Sequence, residues 1–251
     1  MSKEKSKQLD IKIMVVNHKP ASVPDNKYLK PIQVGAELAQ GKLEGVDYFD
    51  NTGDNISHLN RSYCELTAVY WAWKNLDADY YGLFHYRRYL SFSKEQDNSV
   101  DAGKAFADVE SALPEINLDE QYMHDLIQDY DLVVPRKDDT TGATNDKSIY
   151  EQYKNEHYIK DLDYCLDYIK EKYPDIAEFN DVLHGKEGYF CNMFIMKKEL
   201  YEQYCSFMFD VLGSFDENID ISEYSVHQHR VDDPAGFKRK QHLIICGKLS
   251  G

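Results

Sequence analysis

The chain has 251 residues, 42% of them hydrophobic, enough for one sizeable core or two tightly joined lobes. Acidic side chains outnumber basic ones 44 to 29, and the resulting net charge of −15 makes the surface repel nucleic acid, so no nucleic-acid partner is expected. The five cysteines, Cys64, Cys165, Cys191, Cys205 and Cys246, are scattered without a CxxC pair, which argues against a disulfide framework and a zinc site and for reduced thiols in the cytoplasm.

Residues 1–10 are charged and lack an apolar core, so they read as a disordered polar leader rather than a signal peptide. No stretch is apolar over the length of a membrane-spanning helix, and the protein is expected to be soluble or at most peripheral. Ile11 to Val16 is a β-branched run that reads as the first strand. It ends in Asn17-His18-Lys19-Pro20, the place where a nucleotide sits in a Rossmann-like sheet. Residues 20–60 lack periodicity and carry Gly35, Gly41, Gly45 and Gly53, which predicts one long ordered loop with a functional role. From Asn60 to Asn75, Tyr63, Leu66, Tyr70 and Trp73 recur at spacings of three and four, predicting a single helix.

Tyr80 to Tyr89 then reads as a buried strand that stops in His85-Tyr86-Arg87-Arg88. Positive charge at the carboxyl edge of a sheet, with arginine's planar fork, suits a diphosphate. The plainer alternative is a surface strand end whose arginines pair with some of the many acidic side chains. Further along, Leu118 to Gln128 reads as a short helix and Tyr130 to Pro135 as a strand. Ser148 to Tyr173 reads as one helix on which His157 and Asp161, four apart, share a face, with Asp163 beside them. Gly188 to Met196 reads as a buried strand with Asn192 in its middle, and Leu200 to Leu212 as an amphipathic helix. With no repeats or linker, the expected organisation is a single domain over 11–230 and an atypical tail over 231–251 that is disordered or, from Phe237 to Leu249, touches anionic lipid.

Four motifs in order, Asp50-Asn-Thr-Gly-Asp-Asn-Ile-Ser57, Tyr63-Cys-Glu-Leu-Thr67 with Trp71-Ala-Trp-Lys-Asn75, His85-Tyr-Arg-Arg-Tyr89 and Asn192-Met-Phe-Ile-Met196, resemble the DUF4422 family. Members are bacterial glycosyltransferases of exopolysaccharide, capsule and O-antigen synthesis, some of which transfer galactofuranose from its UDP-activated form with inversion. The resemblance implies an α/β fold: one GT-A-like, Rossmann-type domain with a mostly parallel central sheet flanked by helices. It implies a UDP-sugar donor and a lipid-linked glycan acceptor, met in the cytoplasm or peripherally at the inner face of the plasma membrane.

Carried onto this chain, the resemblance places His18, Lys19, Asp54, Asn55, Asn60, Glu65, His85, Tyr86, Arg87 and Arg88 around the donor. Asn60 as a helix cap, and Glu65 as a solvated or core-satisfying carboxylate, are the competing readings. Many GT-A enzymes hold a divalent metal with an Asp-x-Asp where this chain has His85-Tyr86-Arg87-Arg88, so no metal or other cofactor is expected and cations would neutralise the leaving group instead. Asp77 and Asp79 read as a helix terminus, and Asp138-Asp139 is the remaining metal candidate. Asp161, Asp163 and His157 are the candidate catalytic bases, with surface charge as the plainer reading of each. Asn192 and Arg230 are expected at the acceptor, although a structural hydrogen bond would also account for Asn192.

After His229-Arg230 this chain reads Val231-Asp-Asp-Pro-Ala-Gly236-Phe237-Lys238-Arg239-Lys240, where members usually carry Gly-Phe and then Glu-Arg-Leu. The missing glutamate leaves activity open. A catalytically weak partner that binds nucleotide sugar or glycan in a polysaccharide assembly complex is therefore the alternative function. A hydrolase or phosphotransferase using His85 as nucleophile is a more distant third.

Overall fold

A computed structural model describes residues 9–92, 105–139, 146–176, 179–189 and 191–221. Arg230, the tail at 231–251 and most of the polar leader lie outside them. In chain order the elements are β1 (Ile11–Asn17), β2 (Leu29–Gln33), β3 (Tyr48–Phe49), α1 (Asn60–Tyr63), α2 (Leu66–Asn75), β4 (Tyr80–His85), α3 (Val109–Ala112), α4 (Glu120–Ile127), β5 (Leu132–Val133), β6 (Asp138–Asp139), α5 (Ile149–Glu156), α6 (Ile159–Lys172), α7 (Phe179–His184), β7 (Glu187–Gly188), β8 (Phe194–Lys197) and α8 (Lys198–Asn218). They divide into two compact units. The first is drawn from Met1–Arg61, Glu65–Pro135 and Met193–Glu202, the second from Ser62–Cys64, Arg136–Asn192 and Gln203–Gly251.

The first unit is an α/β layer built on a six-stranded sheet of order β3-β2-β1-β4-β8-β5. β1 pairs in parallel with β2 (Ile13 opposite Leu29) and with β4 (Val16 opposite His85), and β3 extends the parallel set beyond β2. β8 is the exception, antiparallel to both β4 and β5. Strands covered on both faces read as unbroken apolar runs rather than alternating ones. Accordingly Ile13, Val15, Leu83, Phe84 and Ile195 are almost wholly buried. Gly82 sits where a Cβ would come within 2.9 Å of Ile13 and 3.1 Å of Ile195, so the sheet centre admits no side chain there.

α2 is the crossover between β3 and β4, and it buries Leu66, Ala68, Val69 and Ala72. Tyr201, in the first turn of α8, stacks on Tyr81 at 4.4 Å and donates its hydroxyl hydrogen to the Val69 carbonyl at 2.8 Å, tying helix to sheet. At the amino edge of the sheet, Lys198 pairs with the Asp77 carboxylate, Lys12 donates to its carbonyl, and Asp79 accepts the Asp10 amide. That placement gives Asp77 and Asp79 a structural task at the end opposite the strand carboxyl termini.

In the second unit, α5, α6, α7 and the later turns of α8 enclose Ile149, Tyr153, Leu162, Cys165, Ile169, Leu183, Val211 and Phe215. Asp210 on α8 gathers the hydroxyls of Tyr168 and Tyr173 and the ammonium of Lys172. Asp138-Asp139 forms the short exposed strand β6 against β7, flanked by a Lys137–Glu187 ion pair.

Four expectations from sequence change. The 20–60 segment contains β2 and β3, and Pro31 is tolerated inside β2 because its missing N–H faces the side on which β3 begins only at Tyr48. The helix expected over Asn60–Asn75 is broken at Cys64, whose φ of +50° is left-handed, which puts Glu65 at the N-cap of α2. The helix expected over Ser148–Tyr173 is broken where His157 and Tyr158 become extended, so His157 and Asp161 do not share a helix face. Asn192 is not inside a strand: it forms a turn with Cys191 (φ +43° and +70°) ahead of β8. Among the described residues no helix is long and apolar enough to cross a membrane.

Candidate functional site

The chain runs from β1 outward through β2 to β3, then returns across α2 to place β4 on the other flank of β1. The carboxyl ends of β1 and β4 therefore form a topological switch point, where a crevice opens between diverging connections and ligands bind. His18 and Lys19 follow β1 directly, and Tyr86 and Arg87 follow β4. The sequence-predicted cationic residues thus meet at one place.

Tyr86 is the centre of that meeting. The residue is 7% exposed and its ring packs edge-on against His18 at 5.3 Å. The Lys19 Nζ lies 5.5 Å from the ring centre and the Arg87 guanidinium carbon 5.2 Å. The turn itself is stiff. His85 and Arg88 exchange backbone hydrogen bonds at 3.1 and 2.9 Å, and the Tyr86 amide donates to Val16. The Phe106 amide donates to the Arg87 carbonyl, and the buried Tyr89 hydroxyl donates to the Tyr86 carbonyl.

Electrostatically the cluster is poised for an anion. Burial first, and then the charges of Lys19 and Arg87, hold the His18 imidazole below its usual pKa. Neither Lys19 nor Arg87 has an acidic partner among the described residues, although acidic groups dominate the chain. His85 and Arg88 contribute their backbone to the turn and are half-buried.

A second feature borders the same edge, and sequence reasoning missed it. Asp50, which follows β3, is fully buried and meets no cation among the described residues. One carboxylate oxygen accepts the Gly35 amide at 2.7 Å and the Thr67 hydroxyl at 2.6 Å. The other accepts the Ala36 amide at 2.9 Å and the Ser57 hydroxyl at 2.5 Å. Gly35 is left-handed (φ +64°), and a Cβ there would fall 2.6 Å from the Asn60 side-chain oxygen, so only glycine fits. The Asn60 amide donates to Thr67, which makes Asn60 a strut between α1 and α2.

Other expected donor residues are placed elsewhere. Asp54 is exposed and accepts from the Tyr70 hydroxyl at 3.2 Å, while its backbone is fastened on both sides to Asn75 at the far end of α2. Asn55 folds onto its own loop, donating to Gly53 and accepting from the Ser57 amide. The structure does not bring these two to the switch point. Glu65 is buried at the start of α2.

His157, Asp161, Asp163 and Asn192 all belong to the second unit. His157 packs its ring on Tyr153 at 4.8 Å, and Asp163 accepts the Tyr150 hydroxyl at 2.7 Å, which raises the pKa of that tyrosine. Asp161 is half-buried in the first turn of α6. Among the described residues no three His, Cys, Asp or Glu side chains gather in a metal-holding group.

The family model described as "Domain of unknown function (DUF4422)" matches residues 12–237. No curated protein matches the chain. Among solved structures, the apo structure of WbbM, a bifunctional glycosyltransferase, superimposes with a TM-score of 0.80 at 30% sequence identity. The match covers 93% of this chain but 40% of the WbbM chain, so this chain spans about two fifths of that protein's length.

Proposed function

Because this chain belongs to the DUF4422 family and its fold matches part of a bifunctional glycosyltransferase, we propose that it transfers a sugar from a nucleotide donor. The observation that carries this reading is the convergence of His18, Lys19 and Arg87 on Tyr86 at the β1–β4 switch point. A nucleotide diphosphate is the anion such a cluster suits. Arg87 offers a planar fork, Lys19 a compact charge, and His18 a second donor once a nearby phosphate favours its protonated form.

The donor in this reading is UDP-galactofuranose and the acceptor a lipid-linked glycan of exopolysaccharide, capsule or O-antigen synthesis, as the family resemblance implies. An acceptor hydroxyl oxygen attacks the anomeric carbon from the face opposite UDP. The bond from that carbon to the β-phosphate oxygen breaks, its electron pair leaves on UDP, and the hydroxyl proton passes to a base. Fixed cations at the sheet edge neutralise the charge that builds on UDP, in place of a divalent ion. Asp161, Asp163 and His157 are the candidates for the base. The reaction would take place on the cytoplasmic side, at the inner face of the plasma membrane.

Single-turnover transfer from UDP-galactofuranose to a synthetic lipid-linked acceptor tests the reading. A glycosylated product of inverted configuration is expected. Tight UDP binding without transfer would favour the nucleotide-sugar-binding partner, and no affinity for UDP or its sugars would end the donor assignment.

A further inference from the structure

We propose that Asp50 is a positioning residue for the donor site, holding the β2 and α2 margins of the switch point in the geometry that admits the nucleotide. The proposal rests on the donor reading above. Its geometric basis is that all four donors to the Asp50 carboxylate come from segments at one sheet edge: Gly35 and Ala36 after β2, Ser57 before α1, and Thr67 in the first turn of α2. That loop is coupled to the cationic cluster, because the Val34 amide donates to the carbonyl of Asn17, immediately before His18.

The chemistry demands a carboxylate. Each oxygen takes one backbone N–H and one hydroxyl, so an amide at this position would turn its NH2 group toward either Gly35 or Ala36. A hydroxyl can rotate to accept from that NH2; a backbone N–H cannot. The adjoining amides of Gly35 and Ala36 form a small anion-binding concavity around the left-handed glycine. The N-terminal end of α2, where Thr67 lies, adds a favourable dipole. These groups stand in for the cation that a buried carboxylate otherwise needs.

The test is UDP titration of the whole chain and its variants, at a temperature where circular dichroism shows each to be folded. Asp50→Asn and Thr67→Val are expected to bind UDP about tenfold more weakly, the scale of one lost buried hydrogen bond, while Thr67→Ser keeps the hydroxyl and the affinity. A residue with only a structural role would lower thermal midpoints and leave the affinity of the folded protein unchanged. Folded Asp50→Asn or Thr67→Val protein with unaltered affinity therefore overturns the proposal, and Thr67→Val decides it if Asp50→Asn does not fold. An unaltered chain that fails to bind UDP overturns the donor reading and this inference with it.

Discussion

The backbone amide of Tyr86 donates to the carbonyl of Val16 at 3.3 Å, clipping the turn after β4 onto the end of β1. That bond continues the β1–β4 pairing beyond the strands, to the two ends that form the switch point. The backbone segments that carry His18, Lys19, Tyr86 and Arg87 are thus tied to one another, which lowers the ordering cost of binding.

Tyr86 should matter through its ring rather than its hydroxyl. Tyr86→Ala removes a nearly buried aromatic and the surface on which His18, Lys19 and Arg87 rest. A stability loss of about 3 kcal/mol by urea denaturation is expected, with UDP affinity falling alongside it. Tyr86→Phe keeps the ring and should stay near the unaltered protein in both measurements.

His18 should make UDP binding pH-dependent. Burial, then Lys19 and Arg87, hold its pKa below the usual 6.5, so folding alone favours the neutral ring. Its contribution to stability is complete above the unfolded pKa and is lost as pH falls toward the lower folded value. A bound diphosphate acts in the opposite sense and stabilises the imidazolium. UDP affinity should therefore rise as pH falls from about 8 to about 6 by more in the unaltered protein than in His18→Gln, the comparison removing UDP's own titration. Equal slopes in calorimetric titrations of the two proteins would show that His18 takes no part.

Two of the carboxylates of α6, Asp161 and Asp163, should separate by role. Asp163→Asn weakens the contact with the Tyr150 hydroxyl and should lower the thermal midpoint with little effect on turnover. Asp161→Asn should cut kcat by about a hundredfold or more if Asp161 is the base, with UDP affinity unchanged. Parallel losses in both variants would place the base elsewhere.

The strands and cations at the switch point were legible in the sequence because their causes are local. β1 and β4 are apolar runs covered on both faces, and each ends abruptly in polar or cationic side chains. What escaped was set by distant partners. β2 and β3 span five and two residues and gain their pairing only from β1 and from each other. The breaks at Cys64 and at His157-Tyr158 carry no glycine or proline, so tertiary packing overrides a helical pattern there.

Asn192 looked like a polar group stranded in a strand because Met193 to Met196 are all buried, whereas the turn lies one residue earlier. In sequence Asp50 is only the first residue of a loop motif in which Asp54 and Asn55 are equally polar. The available signal was Gly35 together with Ser57 and Thr67, but nothing in sequence places those four side by side.

Calorimetric titration of UDP in the presence of EDTA, into the unaltered chain and into Arg87→Ala, tests most directly whether fixed cations hold the donor. Binding should persist without divalent ions and weaken about tenfold or more in Arg87→Ala, a loss of roughly 1.4 kcal/mol or more. Binding that requires an added metal, or that is the same in both proteins, would contradict it.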